Sequence, residues 1–224
     1  MNDHGQPIGE PLEWAAVAPP PKHVLEGRWC RLEPLDAGRH AADLHEANVL
    51  DDGSMWTYMP YGPFDDLVAY TAWCEQMAAH EDPMFYAVIV DGRAVGVASY
   101  LRIAPATGVI EIGHIAWSPR LQRTTAATEA VYLMVRHALE ELGYRRVEWK
   151  CDGLNDPSRR AALRLGFEYE GTFRQATVYK ARNRDTAWYA IIDRDWPRIR
   201  AAHDAWLDPT NFDDTGQQIE PLRV

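Results

Sequence analysis

Between Trp117 and Ala130 the chain reads Trp-Ser-Pro-Arg-Leu-Gln-Arg-Thr-Thr-Ala-Ala-Thr-Glu-Ala. An apolar, strand-like run ends there and a long helical period begins. The first N–H groups of a helix have no intrahelical acceptor, and the helix dipole makes that end positive, so such a junction can hold an anion. Small side chains let the anion reach the backbone, and Arg120 and Arg123 add charge. A diphosphate is the natural guest. An ordinary strand-to-helix turn fits the same residues, and both readings stay open on these grounds.

Other chemistries lack their residues. There is no G-x-S-x-G elbow, Walker loop, G-x-G-x-x-G or H-E-x-x-H. The eight histidines show no metal-ligand spacing, so no metal is expected. Cys30, Cys74 and Cys151 are too scattered for a disulfide framework or a zinc ribbon. Lys and Arg total 23 against 33 Asp and Glu, a net charge of -10. That balance repels phosphate backbones and argues against nucleic acid as partner, while it suits amine substrates as well as plain solubility. The start lacks a signal-peptide pattern, and no apolar run nears the ~20 residues of a membrane span. A cytoplasmic protein with no membrane partner is expected.

Several elements must position the junction. At 224 residues, 46% hydrophobic and 25% charged, the chain suits a folded α/β unit. Residues 1–25 are proline-rich and read as an extended arm, residues 26–207 as the domain, and residues 208–224 as an irregular tail. Strands are predicted over Arg28–Leu35, Phe85–Val90, Ala94–Ile103, Val109–Trp117, Arg145–Cys151, Tyr169–Val178 and Thr186–Asp193. Asp91-Gly92 marks a hairpin between the second and third of these. Helices are predicted over Ala37–Asn48, Asp65–Ala79 and Thr125–Leu142, after Asn155-Asp156-Pro157, and after Asp195-Trp196-Pro197. The order is a β-meander, a long helix, a strand, a shorter helix and terminal strands: an α/β or α+β fold with a mixed sheet.

On these residues the chain resembles the GNAT acyl-CoA N-acyltransferases, in particular their RimJ/RimL-like branch. Gln122, Thr125 and Ala127 fall on the marked positions of the family's pyrophosphate loop, Q/R-x-x-G-x-G/A, and Thr128-Glu129-Ala130 continues it. Asn155-Asp156-Pro157-Ser158-Arg159-Arg160-Ala161, Leu165-Gly166-Phe167 and Glu170-Gly171-Thr172-Phe173-Arg174 match further stretches in order. The likeness runs from about Gly27 to Trp206. One departure stands out: Thr125 replaces the loop's central glycine.

The resemblance implies a central, mostly antiparallel sheet with a splayed strand pair, flanked by helices. It implies acetyl-CoA as acyl donor and an amine acceptor, either a peptide or a small molecule. Coenzyme A would be held by Ile115, Trp117, Gln122, Arg123, Thr124, Thr125, Ala126, Ala127, Thr128 and Asn155. Glu111, between Ile110 and Ile112, would be the general base, its partial desolvation making it a stronger one. A backbone N–H near Ile115 would stabilise the oxyanion. Ser158 would protonate the leaving thiolate, with Tyr179 as the second candidate. The aromatic segment Met55–Phe64 would line the acceptor pocket through Trp56, Tyr58 and Tyr61. A homodimer is the family-level expectation. A non-catalytic acyl-CoA-binding or sensor protein of the same fold is the alternative.

Overall fold

The computed structural model describes residues 1–224. Eight strands form one sheet: β1 (Leu25–Glu26), β2 (Arg31–Pro34), β3 (Met84–Val90), β4 (Arg93–Ala104), β5 (Val109–Trp117), β6 (Arg146–Asp152), β7 (Glu168–Tyr179) and β8 (Arg182–Ile192). Their spatial order is β1-β2-β3-β4-β5-β6-β8-β7. All neighbours are antiparallel except β5 and β6, which run parallel. The helices are α1 (Ala37–Asn48), α2 (Leu67–Ala78), α3 (Thr125–Arg136), α4 (Asp156–Arg164) and α5 (Trp196–Leu207).

Strand alternation sends side chains to two cores. Val147, Trp149 and Cys151 of β6 meet Val131, Met134 and Ile199 of the long helices on one face. Leu44, Trp56, Tyr70 and Trp73 meet Phe85 and Ala87 on the other. Asp36 and Asp66 cap α1 and α2 through side-chain acceptors. Asp91 and Gly92 both take positive φ, the geometry that matches a two-residue turn to twisted strands.

Three expectations need correction. The strand expected from Arg28 is β2 and begins only at Arg31, because the Glu129 carboxylate takes the amides of Arg28, Trp29 and Cys30 at 2.9, 2.6 and 2.8 Å. The long helix does not run evenly to Leu142. It widens into a π-turn over His137–Glu141, next to Met134, whose carbonyl accepts the buried Tyr100 hydroxyl at 2.6 Å. The last strand starts at Arg182, since Thr177–Tyr179 fold back on Arg182–Arg184 through Lys180 and Ala181, both at positive φ.

Both ends of the chain lie on the domain. Trp14 donates to the Ala106 carbonyl at 2.8 Å and covers Gly108, where a Cβ would meet its ring at 2.4 Å. Phe212 stacks edge-on against Trp29 and Trp206, and Gln218 accepts from Trp206 Nε1 at 2.9 Å. No helix is long and apolar enough to cross a membrane.

Candidate active site

The β5–β6 pairing stops at Glu111↔Glu148. Beyond it β5 continues to Trp117 and β6 to Asp152 without bonding each other, so the sheet parts at its one parallel pair. A bulge on β5 sits in this parted half. Val97 pairs with Ala116 and Ser99 with Gly113, so His114 and Ile115 together face Ala98, and His114 takes φ +50°.

The junction after β5 is tightly built. The Ser118 amide and hydroxyl both donate to the Val95 carbonyl, and the Ser118 carbonyl accepts the amides of Leu121 and Gln122. Gln122 Nε2 donates back to the Trp117 carbonyl at 2.8 Å. Thr124 donates its hydroxyl to Leu121 O at 2.7 Å and caps α3 by accepting from Ala127 N at 3.2 Å. The N–H groups of Arg123, Thr125 and Ala126 find no acceptor in the chain. They are the donors an anion would take. Thr125 sits in the helix with φ outside the left-handed region, so it offers its N–H without the missing glycine.

Other cofactor candidates are engaged elsewhere. Thr128 is buried, and its hydroxyl accepts from Arg164 Nη1 at 3.0 Å. Arg120, read from sequence as added charge for the anion, is drawn to Glu46 at 2.8 Å. Arg123 stays exposed with no ion pair. Asn155 caps α4 through Ser158 N at 3.2 Å, and the Trp117 carbonyl is occupied by Gln122.

Glu111 lies at the base of the gap, 3% exposed. Arg102 Nη1 approaches its Oε2 at 2.5 Å and Lys150 Nζ at 3.0 Å. Lys150 also holds Glu148 at 2.6 Å and lies 3.6 Å over the Trp188 ring. The flanking isoleucines suggested partial desolvation; the structure buries the carboxylate and also pairs it with two cations. Both meet the same oxygen. Oε1 makes no hydrogen bond within the chain and lies 3.3 Å from the point a Cβ of Gly113 would occupy.

His114 stacks on Tyr61 at 5.6 Å and 15° and packs against Phe85. Burial first, then the charges of Arg102 and Arg184, push its pKa down to about 4, so the ring is neutral at physiological pH. Tyr61 leaves its buried hydroxyl unpartnered. Trp56 is enclosed in the second core, where its carbonyl accepts Lys180 Nζ at 2.8 Å. Tyr58 donates to the Leu154 carbonyl at 3.1 Å. The aromatic segment therefore bridges to the turn after β6 and to the β7–β8 hairpin, with Tyr61 nearest the bulge.

The two acid candidates contact opposite faces of β6. Ser158 Oγ accepts from Trp149 Nε1 at 3.0 Å, which leaves its own proton free to donate. Tyr179 donates to Asp152 Oδ2 at 2.8 Å, and burial together with that carboxylate raises its pKa to about 12.

Sequence reasoning missed Arg102 and Lys150, because ion pairs between strands leave no local spacing. It also missed a small cluster outside the gap. His23, His137 and Glu141 bring possible ligand atoms within 4.8 Å of one another, uniting the arm with the π-turn.

The mixed sheet thus parts beside a helix start, with unpaired amides at one lip and a carboxylate at the base. Residues 30–168, more than half of the chain, match the family described as acetyltransferase (GNAT) domain, and the chain belongs to that family. It is similar to the crystal structure of a GCN5-related N-acetyltransferase from Brucella melitensis, with 44% identity and a TM-score of 0.92 over 94% of this chain and 96% of that one. It is 31% identical over 110 residues to the ribosomal-protein-serine acetyltransferase of Escherichia coli (strain K12), 48% of this chain and 60% of that protein. The chain spans only 50% to 60% of the length of the curated relatives it matches. Mycobacterium smegmatis RimJ in complex with CoA-disulfide shares the fold, with a TM-score of 0.67 and 20% identity over 79% of this chain and 88% of that one.

Proposed function

We propose that the protein is a cytoplasmic N-acetyltransferase that moves an acetyl group from acetyl-CoA to a primary amine, by direct attack on the thioester. The amine belongs to a protein N-terminus, a small amine or an aminoacyl conjugate. Residues 26–207 form the catalytic unit. One observation carries this reading: the unpaired amides of Arg123, Thr125 and Ala126 border a gap in the sheet that has Glu111 at its base.

Acetyl-CoA supplies the activated thioester carbonyl. The amides at the start of α3, with Arg123, neutralise diphosphate charge, and the free edge of β5 near Ile115 aligns the donor. Glu111 accepts the amine proton through water at Oε1, while Arg102 and Lys150 fix Oε2 and hold the carboxylate in place. Ser158 carries the proton for the thiolate, and Tyr179 is second choice because Asp152 already holds its hydrogen.

The ion pairs of Glu111 also favour a second reading, a protein that binds acyl-CoA without turning it over. Free-thiol release with acetyl-CoA and a broad amine panel separates the two. The enzyme releases thiol only when an amine is present. Tight acetyl-CoA binding with no amine-dependent release across the panel would select the binding protein.

A further inference from the structure

Arg184 on β8 differs from the other arginines. Those either form an ion pair, stand exposed or, like Arg136, lie over a ring without a sealed nitrogen. Arg184 is half-buried, makes no ion pair and no side-chain hydrogen bond, and keeps a solvent-sealed Nε–H with no acceptor. Its guanidinium lies 5.7 Å from the centre of the Tyr179 ring. A buried charged donor without an acceptor is unfavourable, and buried cations are ordinarily paired. In a chain with 33 acidic residues the missing partner is not for want of carboxylates.

The surroundings point the same way. Strand alternation puts Arg184, Thr186 and Trp188 on the face of β8 opposite Ala187, Tyr189 and Ile191, which enter the main core. Lys150 on the ring of Trp188 ties that face to Glu111. Arg184 is close enough to help hold His114 neutral. Trp188 Nε1 and the Tyr61 hydroxyl are also buried without partners. The other cations here are occupied: Arg102 by Glu111, and Lys150 by Glu111 and Glu148. What stays unsatisfied is a set of donors.

We propose that Arg184 docks an anionic group, a carboxylate or a phosphate, carried by the acceptor amine. The planar guanidinium recognises either anion through paired N–H bonds. The acceptor class is then an amine that bears its own anion, not a polyamine, although the net charge of the chain alone would favour the latter. The proposal rests on the acyltransferase reading above and narrows it.

The test uses matched acceptors with the full-length protein and acetyl-CoA. β-Alanine is compared with β-alaninamide, and O-phosphoethanolamine with ethanolamine. The wild type should show at least a tenfold higher kcat/KM for one anionic member than for its neutral partner, and the responding pair identifies the anion. Arg184→Gln should bring that ratio to about one through KM, and Arg184→Lys should restore part of it. A wild-type ratio near one, or a preference that survives Arg184→Gln, overturns the proposal. If no amine is acetylated, the acyltransferase reading fails separately. Calorimetry of N-acetyl-β-alanine and O-phosphoethanolamine against CoA-saturated protein then decides the site. Binding lost in Arg184→Gln supports it, and no wild-type binding at millimolar probe overturns it.

Discussion

Glu111 is fixed through one carboxylate oxygen and keeps the other open. Two cations on Oε2 offset the cost of burying its charge, and losing Lys150, which is buried with it, should cost more than losing the exposed Arg102. The free Oε1 is the part left for chemistry. Glu111→Gln keeps the shape but cannot accept a proton, so kcat should fall by ~10²-fold or more while acetyl-CoA affinity stays nearly intact. Steady-state kinetics with calorimetry checks this; unchanged turnover across pH would remove Glu111 as base. His114 carries a separate prediction. Its folded pKa, about 4, lies below the ordinary 6.5, so the unfolded chain binds the extra proton first. The stability contribution is whole above about pH 6.5 and is lost as the pH falls toward about 4. Thermal melts should show His114→Asn less sensitive to acid over that window, with the residual sensitivity due to His137 and His203, whose pKa values burial also lowers.

At the scale of elements, α3 does two tasks with opposite sides of its first turns. Thr125 and Ala126, with Arg123 just before them, leave amide donors free, while Glu129 reaches inward to clamp three amides ahead of β2. Gly27 admits that carboxylate, since a Cβ there would meet Oε2 at 2.5 Å. Each buried amide left without an acceptor costs about 1–3 kcal/mol, so Glu129→Ala should destabilise the fold by about 3 kcal/mol or more. Denaturant unfolding measures this; a loss below about 1 kcal/mol would show that the clamp is dispensable. The helix itself was legible, because Ala127, Val131, Met134 and Ala138 repeat at helical spacing. The clamp was not: Glu129 and Arg28 are far apart in sequence, and a motif match gives Glu129 a position but no partner.

The whole molecule is a sheet whose single parallel pair is also its opening. β5 was legible to the residue, as Val109–Trp117, and the meander before it within a residue or two, because β-branched and aromatic runs end at turn residues. The gap was expected only through family resemblance, since no local signal says where two strands stop bonding. The tail after Pro209 was read as irregular, yet Phe212 and Gln218 fasten it to Trp29 and Trp206, contacts that only the fold brings together. Of the residues singled out in the sequence, Glu111 lies at the base of the gap and the unpaired amides of Arg123, Thr125 and Ala126 lie at its lip. The sequence could not foresee that Thr128 and Arg120 would be engaged by Arg164 and Glu46.

The central claim is that a coenzyme diphosphate sits on the amides of Arg123, Thr125 and Ala126. Isothermal titration of acetyl-CoA into the wild type and Thr125→Asp tests it most directly. The account predicts saturable 1:1 binding to the wild type and at least tenfold weaker binding to the variant, whose carboxylate faces the phosphates. Equal affinity for the two proteins, or no wild-type binding at millimolar acetyl-CoA, would contradict it.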